Sequence, residues 1–255
     1  MTRLFETYRA VHEQGFIPLF VNDNYDSHRL IEACVAAGCR VIEYTQRRKD
    51  ADQMIPWIRR RFPDLHVLAG STLDDDRVAR QARRRHPQVR TLAELADMGV
   101  DGFVSLVGWH PDNIRKYAAT HLVVPAAMTV NEGYQQFAAG AHFIKVFGPD
   151  LALMRLCRND AAFNYCPVLI TGGMTRDRIP EAVAAGAMVI GSGFDLILKP
   201  FPGPLEAKDI AQVIRDYLAT MQEAKRTAWP ALSQADGAER RAWLDALPHH
   251  HPFGD

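Results

Sequence analysis

One pattern recurs eight times along the sequence: a short apolar run rich in β-branched residues, followed in most cases by an amphipathic stretch. This alternation is typical of parallel strands joined by helical crossovers. Eight such units predict an α/β fold, a closed (β/α)₈ barrel. The predicted strands cover residues 16–21, 40–45, 66–72, 102–107, 121–128, 143–147, 168–172 and 187–191.

Amphipathic segments lie between most of these strands, and three of them end in an Ala-Gly pair. Glycine at that position favours a left-handed helix end before the next strand. An open dinucleotide-binding sheet is disfavoured, because residues 21–24 after the first strand lack a Gly-x-Gly-x-x-Gly turn. The predicted helices cover residues 27–37, 51–62, 76–85, 113–118, 131–139, 151–158 and 178–185.

The chain length of 255 residues fits one barrel domain. We predict the barrel, with an N-terminal helix, over residues 1–200 and a C-terminal helix and tail over residues 201–255. Prolines and a glycine at 200–204 interrupt the repeat, and residues 207–225 have the pattern of one amphipathic helix. The three histidines at 249–251 are interpreted as a solvated run near the terminus.

Thirty basic residues balance thirty acidic ones, so the chain lacks the positive field expected of a nucleic-acid or anionic-membrane binder. We therefore expect a small-molecule substrate, no nucleic-acid partner and no membrane partner. The first 14 residues lack the apolar core of a signal peptide, which predicts a cytoplasmic protein. The four cysteines (Cys34, Cys39, Cys157, Cys166) show no metal-ligand spacing and are predicted to be buried free thiols. No cofactor and no metal are expected.

Lys145 is the first candidate for chemistry, since catalytic groups of barrels stand at the C-terminal ends of strands. Strand alternation places Lys145 on the same face as Phe143 and Phe147, toward the barrel interior. Desolvation lowers the pKa of a buried amine and frees it to attack a carbonyl. The alternative is a lysine near a strand end that reaches solvent.

Glu43, Thr45 and Arg47 share one face of the second strand and its end, rising toward the mouth of the barrel. A carboxylate beside a reactive lysine relays protons. Its alternative role is a plain ion pair with an inward cation. Arg47 is placed to bind a substrate carboxylate, whereas Arg48 has the opposite parity.

Small and hydroxyl-bearing residues end three further strands. Thr72 offers a hydroxyl after the third strand, although a simple turn would explain this segment almost as well. Barrels most often bind phosphate at the loops after the last two strands. Those strands end in Thr171, Gly172 and Gly173, and in Gly191, Ser192 and Gly193.

Taken together, these segments resemble the bacterial 2-keto-3-deoxy-6-phosphogluconate and 4-hydroxy-2-oxoglutarate aldolase family, over residues 16–198. Residues 38–47, GCRVIEYTQR, look like the segment carrying that family's proton-relay glutamate and carboxylate-binding arginine. Residues 143–147, FIKVF, look like its Schiff-base segment, and residues 171–174, TGGM, resemble its Thr-Gly-Gly-Ile phosphate loop.

The resemblance implies a class I aldolase that cleaves a 2-keto-3-deoxy (phospho)sugar acid or a 4-hydroxy-2-oxo acid to pyruvate and an aldehyde. Lys145 would attack the C2 keto group and Glu43 would relay protons. Arg47 and Thr72 would hold the pyruvyl carboxylate, and Phe147 would pack beside the imine. The family usually forms trimers, so the resemblance also implies a homotrimer.

The chain departs from the family pattern around the pocket. Gly148 and Leu106 stand where proline is common, and Ala126 stands where glycine is usual. Asp23 follows the first strand, where some branches carry a phosphate-binding arginine, and it would repel phosphate. Whether the substrate is phosphorylated therefore stays open.

Two other functions remain compatible with the same residues. A phosphate-binding isomerase or epimerase would use Lys145 and Glu43 as an ion pair or as acid and base, without a covalent intermediate. A non-catalytic barrel would only bind a sugar acid or serve in an assembly. The combination of lysine, glutamate and arginine argues against that last alternative.

Overall fold

A computed structural model of the chain describes residues 2–148, 151–159, 166–201, 203 and 205–229. Its strands form one parallel sheet in the order β5-β4-β3-β2-β1-β8-β7-β6. A bridge between Ala126 and Lys145 connects the two ends of that order, so the sheet is a nearly closed barrel. The strands are β1 (Phe16–Phe20), β2 (Val41–Thr45), β3 (His66–Gly70), β4 (Gly102–Val104), β5 (Leu122–Val124), β6 (Ile144–Phe147), β7 (Val168–Thr171) and β8 (Ala187–Gly193). The predicted (β/α)₈ barrel is confirmed.

Helices surround the sheet on the outside. They are α1 (Arg3–Gln14), α2 (Ser27–Ala36), α3 (Ala51–Arg61), α4 (Asp76–Arg83), α5 (Leu92–Asp97), α6 (Pro111–Ala118), α7 (Val130–Ala138), α8 (Ala152–Asn159), α9 (Ile179–Ala184), α10 (Phe194–Ile197) and α11 (Ala207–Ala228). A 3₁₀ turn, Arg176–Arg178, precedes α9. The three predicted helix-end glycines, Gly38, Gly140 and Gly186, have φ of 89°, 113° and 115°, as a left-handed helix end requires.

Two differences from the predicted elements concern the loops after β3, β4 and β5. These strands were predicted to reach residues 72, 107 and 128, but they end at Gly70, Val104 and Val124.

Helix α5 was not predicted, although Thr91 and Glu94 form a reciprocal capping box at its start. A capping box indicates the start of a helix, but the apolar pattern that follows this one is too short to predict a helix by itself.

Strand alternation separates two apolar layers. Ile17, Leu19, Val41, Leu68 and Val189 lie with other strand residues in a cluster inside the barrel. The intervening strand residues pack outward against the helices. Helix α1 closes the N-terminal end of the barrel, because its Tyr8 and Val11 join the interior cluster.

Helix α11 lies against α2 and α9, so it fills the outer layer beside β1. Tyr217 packs its ring 4.7 Å from that of Phe16, and Lys225 Nζ donates to the His12 carbonyl near the end of α1 at 2.6 Å. The predicted C-terminal helix is therefore present and packs against the outside of the barrel. The boundary at residue 200 stays a prediction, and the tail histidines at 249–251 lie outside the described residues.

Cys34, Cys39 and Cys166 are buried free thiols, as predicted. The side chain of Cys157 lies outside the described part of the chain. None of the helices described has both the length and the apolar character needed to span a membrane.

We expect Ile214→Ala in α11 to lower the free energy of unfolding of the whole barrel by about 2–5 kcal/mol, the usual cost of truncating a buried isoleucine. Ile214 has 0% exposure, whereas Lys208 on the same helix is exposed. Denaturant unfolding of Ile214→Ala and of the control Lys208→Ala measures the difference. Equal midpoints for both variants and the wild type would show that α11 is not part of the cooperative unit.

Candidate active site

Lys145 and Glu43 meet inside the mouth of the barrel. Lys145 is the second residue of β6 and Glu43 the third of β2, and Lys145 Nζ lies 4.0 Å from Glu43 Oε1. Their side chains are only 4% and 2% exposed. Ile144 and Val146, the neighbours of Lys145, pack in the outer apolar layer. The predicted inward position of Lys145 therefore agrees with the structure, and the solvent-reaching alternative does not.

The surroundings of Lys145 favour its neutral form. Burial is the largest influence and lowers the pKa of the amine. The Glu43 carboxylate raises that pKa, and the Arg47 guanidinium lowers it further. The net direction is downward, so the amine is neutral over a wider pH range than a solvated lysine. A neutral amine has the free electron pair that attack on a carbonyl requires.

The second carboxylate oxygen of Glu43, Oε2, is buried and has no hydrogen-bond partner among the described residues. A buried acceptor without a partner costs free energy, so a donor that reaches Oε2 would be bound favourably. Glu43 thus forms a 4.0 Å ion pair with Lys145 through one oxygen, and its other oxygen can still accept a hydrogen bond. Such a carboxylate can receive and return a proton.

Gly70 at the end of β3 makes room for Glu43. A methyl group added at Gly70 would lie 2.2 Å from Glu43 Oε1 and 2.7 Å from Thr45 Cγ2. Both distances are far below van der Waals contact. Glycine at this position therefore allows the carboxylate to cross β3. No sequence signal marks this role of Gly70, because only the side-chain path of Glu43 reveals it.

Arg47 and Arg48 differ as their parity predicted. Arg48 is 4% exposed, and it donates to Asp50 Oδ1 at 3.0 Å and to Ser27 Oγ at 2.5 Å. Arg47 is exposed, and its charge acts on Lys145. Arg47 is therefore available to an anionic group, whereas Arg48 anchors the loop that carries it.

Thr72 is buried, and its hydroxyl is already engaged. Its amide and its hydroxyl donate to the Val104 carbonyl at 3.1 and 3.0 Å. A substrate carboxylate would have to replace that bond to accept from the hydroxyl. The preceding residue, Ser71, has φ of 58°. Left-handed backbone at a residue other than glycine is strained and concentrates at functional sites.

Phe147 lies at the rim, with 48% of its surface exposed. Its ring covers Gly172, where an added methyl would lie 3.1 Å from Phe147 Cε2. Gly172 and Gly173 have φ of 90° and 67°, so this turn requires glycine. The rim position of Phe147 differs from the fully inward one expected for the strand.

Thr171 and Ser192 each keep a buried hydroxyl with no hydrogen-bond partner among the described residues. Thr171 shares the inward face of β7 with Leu169, which belongs to the interior cluster. Ser192 has the parity of Ile190, which packs in the outer layer. Gly193 has the inward parity, at the mouth.

The elements after the two glycine loops differ in length. After Gly173 a 3₁₀ turn of three residues leads directly into α9, which has six, whereas Gly193 precedes α10, which has four. The dipole of α10 is correspondingly small. Asp195, which the sequence analysis missed, stands in the first turn of α10. No group of three or more potential metal ligands occurs in the described part of the chain.

Solved structures share this fold. One is a 2-keto-3-deoxy-6-phosphogluconate aldolase of Zymomonas mobilis, with 21% identity, a TM-score of 0.63 and coverage of 86% of this chain and 97% of that chain. Another is a KDPG aldolase from Legionella pneumophila holding pyruvate as a covalent carbinolamine intermediate, with 18% identity, a TM-score of 0.59 and coverage of 86% and 97%.

A thiamine phosphate pyrophosphorylase from Pyrococcus furiosus is also similar, with 13% identity, a TM-score of 0.58 and coverage of 84% of this chain and 98% of that chain. At these low identities the structural similarity shows the barrel fold alone, and that fold carries different chemistries in these proteins. No protein-family model and no curated protein matches the sequence.

We expect the two charges beside Lys145 to move its pKa in opposite directions. Arg47→Gln removes a charge that lowers the pKa, so the pKa rises; Glu43→Gln removes a charge that raises it, so the pKa falls. The rate of reductive methylation of Lys145, followed by peptide mass spectrometry against pH, reports the midpoint. Shifts in the same direction would contradict this electrostatic arrangement.

Gly70→Ala should displace the Glu43 carboxylate and lower the pKa of Lys145, as Glu43→Gln does. Gly108→Ala is the matched control, because an added methyl there would meet nothing closer than 3.5 Å. The same methylation profile measures both variants. Crystal structures show whether Glu43 has moved, and an unmoved carboxylate with an unchanged profile would remove the role given to Gly70.

Proposed function

We propose that this protein is a class I aldolase that cleaves a 2-keto-3-deoxy sugar acid or a related 4-hydroxy-2-oxo acid to pyruvate and an aldehyde. The observation that carries the proposal is the buried Lys145 amine with Glu43 Oε1 4.0 Å away, inside the mouth of the barrel. The similarity of the fold to that of solved aldolases supports it.

The reaction begins when the neutral Lys145 amine attacks the C2 carbonyl and forms a carbinolamine. Proton transfer to its hydroxyl, relayed by Glu43, releases water and leaves an iminium ion. The iminium accepts the electron pair of the C3–C4 bond as that bond breaks, while the C4 hydroxyl gives up its proton and the aldehyde departs. Protonation of the enamine at C3 and hydrolysis then release pyruvate.

The remaining residues bind the substrate in this proposal. Arg47 pairs with the pyruvyl carboxylate, which brings the keto carbon to the amine. Thr72 supports the same carboxylate if its hydroxyl turns from Val104. Phe147 covers the imine from the rim. The sequence alone predicts that Gly172, Gly173, Ser192 and Gly193 cradle a phosphate, with Thr171 beside them.

We also propose that the protein acts in the cytoplasm as a homotrimer. Leu106, Val107, Met128 and Phe147 are 42%, 50%, 64% and 48% exposed around the loops after β4, β5 and β6. Exposed apolar side chains that form a contiguous patch are typical of association surfaces. A three-subunit mass in solution, measured by light scattering, supports the trimer.

We expect borohydride reduction in the presence of pyruvate to add one carboxyethyl group to Lys145. Lys145→Ala should give no such adduct and should lose cleavage activity by many orders of magnitude, because a methyl group cannot form the imine. Lys116→Ala, a change on α6 outside the barrel mouth, is the matched control and should behave as the wild type.

Glu43→Gln should still trap pyruvate but turn over about 10²- to 10⁴-fold more slowly, the usual effect of losing an acid-base group. Activity above a few per cent in Lys145→Ala would exclude the imine mechanism. An unmodified wild type would leave Lys145 and Glu43 as the acid and base of an isomerase.

A further inference from the structure

Asp195 covers the place where a barrel of this kind would accept a distal phosphate. A methyl group added at Gly193 would lie 2.3 Å from Asp195 Oδ1 and 3.2 Å from Val21 Cγ2. The Asp195 carboxylate therefore folds back over the inward face of Gly193. An anion approaching the backbone there would meet a negative charge first.

A second carboxylate lies after the neighbouring strand. Asp23 follows β1 by three residues, and its Oδ1 accepts from the Lys49 amide at 3.1 Å. This hydrogen bond joins the loop after β1 to the loop after β2. Val21, directly after β1, lies beside Gly193, and Asp23 follows it by two residues. Asp195 and Asp23 therefore both add negative charge to the loops after β8 and β1.

Two cations near the glycine loops belong to the 3₁₀ turn before α9. Arg178 Nη1 donates to the Gly173 carbonyl at 3.4 Å, and Arg176 pairs with Asp216 on α11. Helix α10, which follows Gly193, has four residues and is too short for a strong dipole. At Gly193 the attraction for a phosphate dianion is therefore weak, and Asp195 adds a repulsion.

The same groups suit hydroxyls. Carboxylate oxygens accept hydrogen bonds from hydroxyl donors, and charge-assisted bonds of this kind are strong. The Thr171 hydroxyl is buried on the inward face without a partner among the described residues, and it can donate or accept. A neutral substrate chain that carries hydroxyl groups can hydrogen-bond to the carboxylate oxygens and to the Thr171 hydroxyl. A phosphate can hydrogen-bond only to the Thr171 hydroxyl.

We propose that Asp195 is a specificity determinant that selects an unphosphorylated, hydroxyl-bearing distal chain on the substrate. This inference rests on the proposed aldolase function, since it concerns the far end of the same substrate. It assigns to the glycine loops the role of tight turns. It makes 2-keto-3-deoxy sugar acids without phosphate the substrate class.

The test compares kcat/KM for 2-keto-3-deoxygluconate and for its 6-phosphate. We expect the wild type to favour the unphosphorylated acid, and Asp195→Asn to shift the ratio toward the phosphorylated acid by about tenfold or more, as expected for removing a like charge at a partly solvated site. Asp23→Asn should shift it less. Asp97→Asn at the end of α5 removes an equal charge near the opposite end of the barrel and should leave the ratio unchanged.

A wild-type preference for the phosphorylated acid, or a ratio that Asp195→Asn does not move, would overturn the inference. Pyruvate trapping on the wild type separates this failure from that of the aldolase proposal, because pyruvate has no distal chain and its adduct tests only the chemistry at Lys145.

Were neither acid cleaved, calorimetric titration with inorganic phosphate would still decide the role of Asp195. Binding about tenfold tighter in Asp195→Asn than in the wild type supports it. Equal binding in both proteins overturns it.

Discussion

The rest of the site depends on burying one lysine amine inside a closed sheet. An ammonium ion in an apolar interior is costly, so the interior must either neutralise Lys145 or pair it. Burial and the charge of Arg47 lower the pKa of the Lys145 amine, which favours its neutral form, whereas Glu43 raises that pKa and is the partner of the charged form. The apolar layer beneath the pair keeps water out, which strengthens each of these influences. Barrel closure is thus a condition of the chemistry as well as of the fold.

The two ends of the barrel divide stability from reactivity. At the N-terminal end, α1 inserts Tyr8 and Val11 into the interior cluster, and α11 holds α1 through the bond from Lys225 to His12. At the C-terminal end the structure leaves polar atoms unsatisfied, among them Glu43 Oε2 and Thr171 Oγ1. Among the described residues, His12 Nε2 at the N-terminal end is also buried without a hydrogen-bond partner. The apolar interior cluster between the two ends offsets the cost of these atoms.

The sequence pattern predicted the barrel and the meeting of Lys145 and Glu43 because both follow from period-two alternation and strand count. It could not predict that the Thr72 hydroxyl turns to Val104 or that Asp195 folds back over Gly193. Those features depend on rotamers and loop paths, which tertiary contacts decide. Helix α5 was missed for another reason: its capping signal was present, but its apolar face was too short to weigh against a loop.

The site residues come from different strands, so the reaction and the substrate can change separately. Glu43 and Lys145 belong to β2 and β6, whereas Asp195 follows β8. A substitution at Asp195 alters the charge met by the far end of a substrate and leaves the pair around the amine in place. Barrels of similar fold can therefore have the same mechanism or different ones. An identity of about 20% to a solved structure determines neither the mechanism nor the substrate of this chain. The chemistry of the distal chain has to be derived from the loop residues themselves, and in our proposal the residue that decides it is Asp195.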